Sequence, residues 1–255
     1  MGIRSILSKP IAKWIVYDQK KWALNPGKFQ SNLFRKLIKS GSKTQFGRDH
    51  QFDEIRNHTD FTQRVPIRDY EGLKPYIKEI LKGKKDVLWP GQPAYLAKTS
   101  GTTSGVKYIP ITKDSIPNHI NSARNALLSY VNETGNSTFL DKKLIFLSGS
   151  PTLTYTSGIP TGRLSGIINH LIPTYLKSNQ LPSYPTNCLE DWEQKVDQIV
   201  LETENKDLSL ISGIPPWVQM YFDKLVSRKG KSIKDVFPNF SLFVYGGVSF
   251  DPYQK

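Results

Sequence analysis

The chain has 255 residues, of which 38% are hydrophobic and 11% aromatic, a composition that is typical of a folded globule and excludes a disordered polymer. Its single cysteine, Cys188, excludes an internal disulfide framework and favours a reducing compartment. No apolar run approaches the roughly twenty residues that cross a bilayer, so we expect a soluble, cytoplasmic protein.

Positive charge is concentrated at the amino-terminal end, within a formal net charge of +13. Residues 1–48 hold eleven Lys and Arg and a single acid, Asp18. Such a concentration is found on surfaces that bind nucleic acids or anionic membranes. Here the basic residues alternate at helical spacing with apolar ones, which favours the solvated face of core-packing helices, so we predict neither partner. These apolar residues are Trp14, Trp22, Phe29, Leu33, Phe34, Leu37 and Ile38.

Residues 1–90 have the pattern of a helical segment, which we assign as the amino-terminal part of the same domain as residues 91–255. Residues 1–48 are predicted to form two or more helices, interrupted at Asn25-Pro26-Gly27. Thr44 to Phe61 is polar and is predicted to be a loop. A further helix is predicted after Tyr70, running to about Leu81.

Residues 91–255 alternate strands and helices, which predicts an α/β fold with a parallel or mixed sheet flanked by helices. Lys143 to Leu147 is a continuous apolar run, the pattern of a strand buried on both faces. Tyr108 to Thr112 is predicted to be an edge strand because Pro110 lacks an N–H. The other predicted elements are strands at 93–97, 208–211 and 242–245 and helices that begin near Thr112, Leu189 and Pro215.

The stretch from Thr99 to Lys107 reads TSGTTSGVK and links the first two predicted strands. Its glycines, Gly101 and Gly105, let successive N–H groups point into one concavity, and its hydroxyl groups add neutral donors. Lys107 adds a mobile positive charge. The spacing matches neither a Walker A loop nor a dinucleotide fingerprint. We predict that the loop binds the phosphates of ATP, and a polar turn between two strands is the alternative.

This loop resembles the phosphate loop of adenylate-forming enzymes, whose common form is Thr-Ser-Gly-Thr-Thr-Gly-x-Pro-Lys. Here Ser104 stands where the second glycine usually falls, Gly105 follows it and Val106 replaces the proline. Lys107 keeps its distance from Gly101. These departures resemble the loops of the GH3 family, the acyl acid–amido synthetases. Two other segments resemble the same family, and they read P-x-x-x-Y-E at 66–71 and S-G-x-P-x-W-V at 212–218.

The resemblance implies an incomplete large N-terminal domain of an adenylate-forming enzyme. Such an enzyme adenylates a small carboxylic acid with ATP, with Mg²⁺ carried by the nucleotide, and then passes the acyl group to an amino acid. No catalytic side chain is assigned. The implied nucleotide contacts are Thr99, Ser100, Gly101, Thr102, Thr103, Ser104, Gly105 and Lys107, with Gly246 and Gly247 in a turn that resembles the family's G-G-A turn.

The resemblance covers nearly all of the chain but only about the first half of a GH3-type enzyme. The family's Tyr-x-x-Ser-Glu motif, its ribose-binding Asp and its mobile C-terminal domain have no counterpart in the 255 residues. We therefore expect an inactive fragment of a ligase. The alternatives are an enzyme that uses CoA as the acceptor and a non-catalytic module that binds a nucleotide or an acid.

Arg163 and His170 fall between residues 151 and 185, after the predicted buried strand, where loops of open α/β sheets line ligand pockets. They are candidate contacts for the acid, and a surface Arg with a packed His is the alternative. The four His and Cys188 are scattered, so no metal site built from protein side chains is predicted. The adjacent acids Glu190 and Asp191 are predicted to lie on a solvated helix surface.

Overall fold

The structure is a computed structural model that describes residues 2–99 and 105–253. The chain divides into two compact units. We call them the hairpin unit, which comprises Tyr17–Ser122 and Leu153–Ile167, and the parallel-sheet unit, which comprises the described parts of Met1–Val16, Ala123–Thr152 and Ile168–Lys255.

The structure contains the predicted helices and strands, and it adds three strands and three short helices within residues 154–187, where the sequence indicated loops. The helices are α1 (Ile3–Leu24), α2 (Pro26–Gly41), α3 (Gln45–Asp49), α4 (His58–Arg64), α5 (Tyr70–Leu81), α6 (Ile116–Thr134), α7 (Leu164–Leu171), α8 (Thr174–Lys177), α9 (Tyr184–Asn187), α10 (Trp192–Thr203), α11 (Pro215–Lys229) and α12 (Ile233–Val236). The strands are β1 (Tyr95–Lys98), β2 (Tyr108–Ile111), β3 (Lys143–Phe146), β4 (Thr154–Thr156), β5 (Ile159–Arg163), β6 (Gln180–Leu181), β7 (Leu208–Ser212) and β8 (Leu242–Val244). Short 3₁₀ helices lie at Phe52–Glu54, Thr138–Asp141 and Asp251–Tyr253.

The hairpin unit contains a mixed sheet in the order β2-β1-β5-β4. β1 is antiparallel to β2 and parallel to β5, and β4 is antiparallel to β5. Pro110 lies on β2 opposite Leu96. Since β2 is at the edge of the sheet, the prediction of an edge strand from Pro110 is confirmed.

Helix α5 packs its apolar face into the core of the hairpin unit. Its N-cap residue, Asp69, accepts a hydrogen bond from the Gly72 amide at 2.9 Å, which fixes where the helix begins. Tyr76 and Ile80 of α5 are buried with Leu96 of β1, and Tyr76, Ile77, Ile80, Val87, Leu96 and Ile159 form one apolar cluster. The helix predicted to run to Leu81 is therefore confirmed.

The parallel-sheet unit contains a second sheet in the order β6-β3-β7-β8, in which every pairing is parallel. β3 lies between β6 and β7, and its Leu144 and Ile145 are both buried. The prediction of a strand buried on both faces is confirmed. The main core of the unit joins this sheet to α10 and α11 and contains Ile145, Leu147, Val196, Ile199, Val200, Leu208, Ile211, Val218, Tyr221, Leu225 and Phe237.

Helix α1 turns a face inward that the sequence pattern did not indicate. Its buried residues are Ser5, Ser8, Ala12 and Ile15. Asp141 accepts hydrogen bonds from the amides of Gly2 at 2.6 Å and Ser5 at 3.2 Å, and the hydroxyls of Ser5 and Ser137 are 2.6 Å apart. These polar contacts orient the face of α1 that carries Ser5, Ser8 and Ala12 toward the core of the parallel-sheet unit.

The apolar face of α1 consequently lies on the surface. Ile3, Leu7, Ile11 and Trp14, at spacings of four, four and three, are 76%, 58%, 48% and 65% exposed. The prediction that the apolar residues of 1–48 pack into a core is wrong for most of the large side chains of α1 and α2. Ile38 is buried, but five others are exposed, namely Trp14, Trp22, Phe29, Leu33 and Leu37. No described helix has both the length and the apolar character needed to cross a membrane.

Local hydrogen bonds correct three smaller predictions. The segment from Thr44 to Phe61 is not a plain loop, because the Thr44 hydroxyl caps α3 and the Asn57 side chain caps α4. Helix α6 begins at Ile116 and not directly after Thr112. Glu190 and Asp191 are both exposed, as predicted, but they precede α10, and Asp191 is its N-cap, where its carboxylate accepts a 2.8 Å bond from the Gln194 amide.

Candidate functional site

The predicted phosphate loop joins β1 to β2 in the hairpin unit. The structure describes its two ends, Thr99 on one side and Gly105 to Lys107 on the other. The middle of the loop lies outside the described residues, and it comprises Ser100, Gly101, Thr102, Thr103 and Ser104. The geometry of the site is therefore given by the ends of the loop and by the strands that carry them.

Thr99 and Lys107 close the loop at its base. The Thr99 amide donates to the Lys107 carbonyl oxygen at 3.0 Å, which extends the antiparallel ladder by one pair. The Lys107 amide donates to the Thr99 hydroxyl oxygen at 3.2 Å. Thr99 thus satisfies both the N–H and the carbonyl group of Lys107. The loop therefore leaves and re-enters the sheet at a fixed point.

The exit of the loop faces solvent. Gly105 has φ +77°, in the left-handed region that favours glycine, and a Cβ built on it meets no atom within 4 Å. Val106, the next residue, is 51% exposed. A loop packed against the core would leave neither of these residues open, so this end of the loop is accessible to a ligand.

Lys107 is held beside an aromatic ring. Its ammonium nitrogen lies 5.4 Å from the centroid of the Tyr70 ring, within the range of a cation–π contact. The Tyr70 hydroxyl in turn accepts a hydrogen bond from the Tyr108 amide at 2.8 Å. The side chain that carries the predicted counter-charge therefore has a defined neighbour on α5.

A basic strand edge borders the base of the loop. Lys98 and Arg163 are the last residues of β1 and β5, two parallel strands, and they are aligned in register. Lys107 directly precedes Tyr108, the residue that pairs with Lys98. Among the described residues, no carboxylate forms an ion pair with Lys98, Lys107 or Arg163. Two positive charges at the carboxyl ends of neighbouring strands, with a third directly before the first residue of β2, suit an anionic ligand.

Gly246 and Gly247 belong to the parallel-sheet unit and follow β8 after one residue, Tyr245. Both are exposed, and Gly247 has φ +88°. A Cβ on Gly247 would lie 3.3 Å from the Ile214 Cγ2 atom, so both backbone angle and space favour glycine there. The Gly213 amide donates to the Val244 carbonyl oxygen at 3.2 Å, which ties this turn to the start of α11.

The two side chains proposed for the acid pocket differ in their surroundings. Arg163 is exposed at the end of β5. His170 lies near the end of α7, where its Nε2 atom is 2.7 Å from the Pro151 carbonyl oxygen. A backbone contact thus occupies one ring nitrogen of His170. The described residues contain no cluster of His, Cys, Asp and Glu arranged to hold a metal ion.

Sequence reasoning overlooked a buried lysine. Lys195 on α10 is only 2% exposed, and its ammonium donates to the carbonyl oxygens of Ser148 at 2.9 Å and Asn187 at 2.7 Å. It fastens the turn that follows β3 to the segment before α10. The available signal was its place beside Val196 on the apolar side of a predicted helix, where a charged residue needs buried partners.

The fold and the loop together define a class of mixed α/β protein in which a Ser-, Thr- and Gly-rich loop connects two antiparallel strands beside a basic strand edge. A family model described as the GH3 family N-terminal domain matches residues 17–187. The chain therefore belongs to the GH3 family.

Individual relatives agree with this assignment. The 4-substituted benzoates-glutamate ligase GH3.12 of Arabidopsis thaliana is 21% identical over 194 residues, which are 74% of this chain and 32% of the relative. The indole-3-acetic acid-amido synthetase GH3.15 of the same plant is 24% identical over 194 residues, which are 74% of this chain and 31% of the relative. The chain thus spans about a third of the length of these curated relatives.

A solved structure shows that the fold is shared. The AtGH3.15 acyl acid amido synthetase in complex with 2,4-DB superposes with a TM-score of 0.66 at 16% sequence identity. The match covers 88% of this chain and 42% of the solved one.

Proposed function

We propose that this chain supplies the ATP-binding part of a GH3-type ligase. In the complete reaction, a carboxylate oxygen of a small acid bonds to the α-phosphorus of ATP and pyrophosphate leaves. The amine nitrogen of an amino acid then bonds to the acyl carbon, AMP leaves and the nitrogen loses a proton. The prediction that residues 1–90 form a helical part and residues 91–255 the nucleotide-binding part belongs to this proposal, as does a cytoplasmic location.

The observation that carries the proposal is the closed base of the loop. The mutual hydrogen bonds of Thr99 and Lys107 hold the two ends together, while Gly105 and Val106 leave the exit open to solvent. An accessible, glycine-containing turn with a lysine at its end fits a polyphosphate. Lys98 and Arg163 add uncompensated positive charge nearby, which favours the same ligand.

Each residue type has a separate part in this scheme. The amides and hydroxyls of residues 99–105 donate to the β- and γ-phosphates, and Lys107 balances their charge. Mg²⁺ enters with the nucleotide and keeps mainly phosphate and water ligands. Gly246 and Gly247, whose backbone carries no side chains, stay a separate prediction that comes from the family resemblance. Positioning and preorganised charge are the main contributions of such a site to adenylation.

Isothermal titration calorimetry of the 255-residue chain with MgATP tests the proposal. We expect binding that is weakened by Lys107→Ala and little changed by Lys28→Ala, a matched loss of a lysine on α2. Binding without pyrophosphate exchange is expected of this chain, since it spans about a third of its relatives. Absence of ATP binding at millimolar concentration contradicts the proposal.

The acceptor and the rival functions have separate tests. In a complete enzyme, trapping the acyl product as an amide or as a thioester distinguishes an amino acid acceptor from CoA. ATP binding without adenylation in a complete enzyme indicates a non-catalytic binding module. Steeply salt-dependent binding to non-specific DNA indicates a nucleic-acid partner.

A further inference from the structure

Tyr70 is placed by α5 and not by the loop it contacts. It is the first residue of α5, directly after the N-cap residue Asp69. The helix is anchored by the buried side chains of Tyr76 and Ile80. The pKa of the Tyr76 phenol is raised mainly by burial and, to a smaller extent, by its 2.9 Å hydrogen bond to Asp49. The position of Tyr70 is therefore set by the core of the hairpin unit.

The Tyr70 hydroxyl satisfies an amide that the sheet leaves unpaired. Thr99 and Lys107 form a hydrogen-bonded pair, so the neighbouring pair, Lys98 and Tyr108, is a non-hydrogen-bonded pair of the antiparallel ladder. The Tyr108 amide therefore points away from β1. Since β2 is an edge strand, no further strand meets that amide, and the Tyr70 hydroxyl accepts from it at 2.8 Å.

The Tyr70 ring also lies under the ammonium group of Lys107. The distance from the Lys107 nitrogen to the ring centroid is 5.4 Å. A lysine at a solvent-exposed loop exit has many rotamers, and ordering it on a phosphate costs conformational entropy. A ring that attracts the ammonium group restricts the side chain before the ligand arrives.

We propose that Tyr70 is a positioning residue for the phosphate loop, which holds the backbone at Tyr108 through its hydroxyl and the side chain of Lys107 through its ring. The inference rests on the proposed function, in that the loop accepts the polyphosphate of a nucleoside triphosphate. Tyr70 itself touches no reacting atom in this scheme. It acts through Lys107 and through the strand that carries it.

Two substitutions separate the roles of hydroxyl and ring. Tyr70→Phe keeps the ring and removes the acceptor, whereas Tyr70→Leu removes both. In protein labelled with ¹³C at the lysine ε-carbon, we expect the Lys107 ε-protons to show an upfield ring-current shift in the wild type and in Tyr70→Phe. The shift disappears in Tyr70→Leu. Amide hydrogen exchange at Tyr108 becomes faster in both variants.

Tyr17→Leu is the matched control for the ring. Lys21 lies 4.5 Å from the Tyr17 ring centroid on α1, so this variant removes a second cation–π contact of the hairpin unit. It should change the Lys21 signal and leave both the Lys107 signal and ATP affinity unchanged. Tyr70→Leu should weaken ATP binding about two- to fivefold, as loss of a weak cation–π contact does, and leave AMP affinity nearly unchanged.

The outcomes distinguish this inference from the proposed function. A wild-type chain that binds no ATP overturns both. A wild type that binds ATP, with a Tyr70→Leu variant that binds it equally well, overturns the role of Tyr70 alone. An unchanged Lys107 signal in Tyr70→Leu does so as well, and that measurement needs no ligand.

Discussion

Lys98 and Arg163 stand side by side at the ends of β1 and β5, aligned in register on two parallel strands. In-register neighbours place their side chains on the same face of a sheet, and like charges so placed destabilise the pairing. Among the described residues neither has a carboxylate partner. We expect such a pair at the edge of the predicted phosphate loop to attract an anionic ligand.

The first prediction concerns this pair. Lys98→Gln and Arg163→Gln should each weaken ATP binding about fivefold. This is the equivalent of about 1 kcal/mol for a charge contact at an exposed site. Titration calorimetry with ATP and AMP measures the effect, which should be smaller for AMP if the groups face the outer phosphates. Arg35→Gln on α2 is the charge-matched control. A loss of affinity for benzoate with no loss for ATP would instead assign the pair to the acid.

The second prediction concerns the lysine of the loop. In a complete GH3 enzyme that carries this loop, Lys107→Ala should slow ATP–pyrophosphate exchange about 10²-fold or more, since a preorganised charge at the reacting phosphates is lost. Lys107→Arg keeps the charge and should recover part of the rate. An unchanged rate in Lys107→Ala would show that the loop only connects two strands and has no part in adenylation.

The third prediction concerns the contact between α2 and α3. The Thr44 hydroxyl donates to the Gly41 carbonyl oxygen at 2.7 Å and accepts from the Gly47 amide at 2.9 Å. A Cβ on Gly47 would lie only 2.1 Å from the Gly41 carbonyl oxygen. Gly47→Ala should therefore lower the free energy of unfolding by about 1–3 kcal/mol or more, measured by urea denaturation. Gly27→Ala meets no atom within 4 Å and should be neutral or stabilising.

The fourth prediction concerns pH. Partial burial favours the neutral form of Asp207, but hydrogen bonds from Lys142 and Asn239 outweigh it, so the pKa of this carboxyl lies below its ordinary value. A lowered pKa stabilises the fold above the ordinary Asp pKa of about 3.9 and loses that contribution as the pH falls through the folded-state pKa. Asp207→Asn should therefore destabilise the chain at pH 7, by less than about 1 kcal/mol for so exposed a pair.

The pH dependence separates the charge of Asp207 from its other contacts. In urea denaturation at several pH values, the difference between the wild type and Asp207→Asn should shrink below about pH 4. A double-mutant cycle with Lys142→Met isolates the ion pair. A difference that stays constant from pH 7 down to pH 3 would show that the charge of Asp207 contributes nothing.

Local sequence signals predicted the parts of the fold that depend on local contacts. The helix predicted from Tyr70 to about Leu81, the Pro110 edge strand and the apolar run of β3 each appear where they were predicted. The loop was found because its Gly, Ser, Thr and Lys composition is itself the chemical feature of interest. Its two described ends, Thr99 and Lys107, meet as a hairpin requires.

Contacts between distant residues could not be predicted in the same way. Helical periodicity shows that α1 has an apolar stripe, but the face it buries is selected by Asp141, more than 130 residues away. The pairing of Lys98 with Arg163 depends on the register of two strands far apart in the chain. The hydrogen bond of Tyr70 to Tyr108 likewise depends on where α5 packs.

The outward stripe of α1 has a practical consequence for anyone who handles the chain in solution. Four large side chains, Ile3, Leu7, Ile11 and Trp14, form an exposed apolar strip, and Lys9 and Lys13 lie on the same helix. We expect mutual repulsion between these ammonium groups to keep molecules dispersed in dilute buffer, and added salt to screen that repulsion and strengthen adhesion between the strips. Light scattering should accordingly rise with sodium chloride, and replacing Trp14 and Leu7 by glutamine should abolish the clustering.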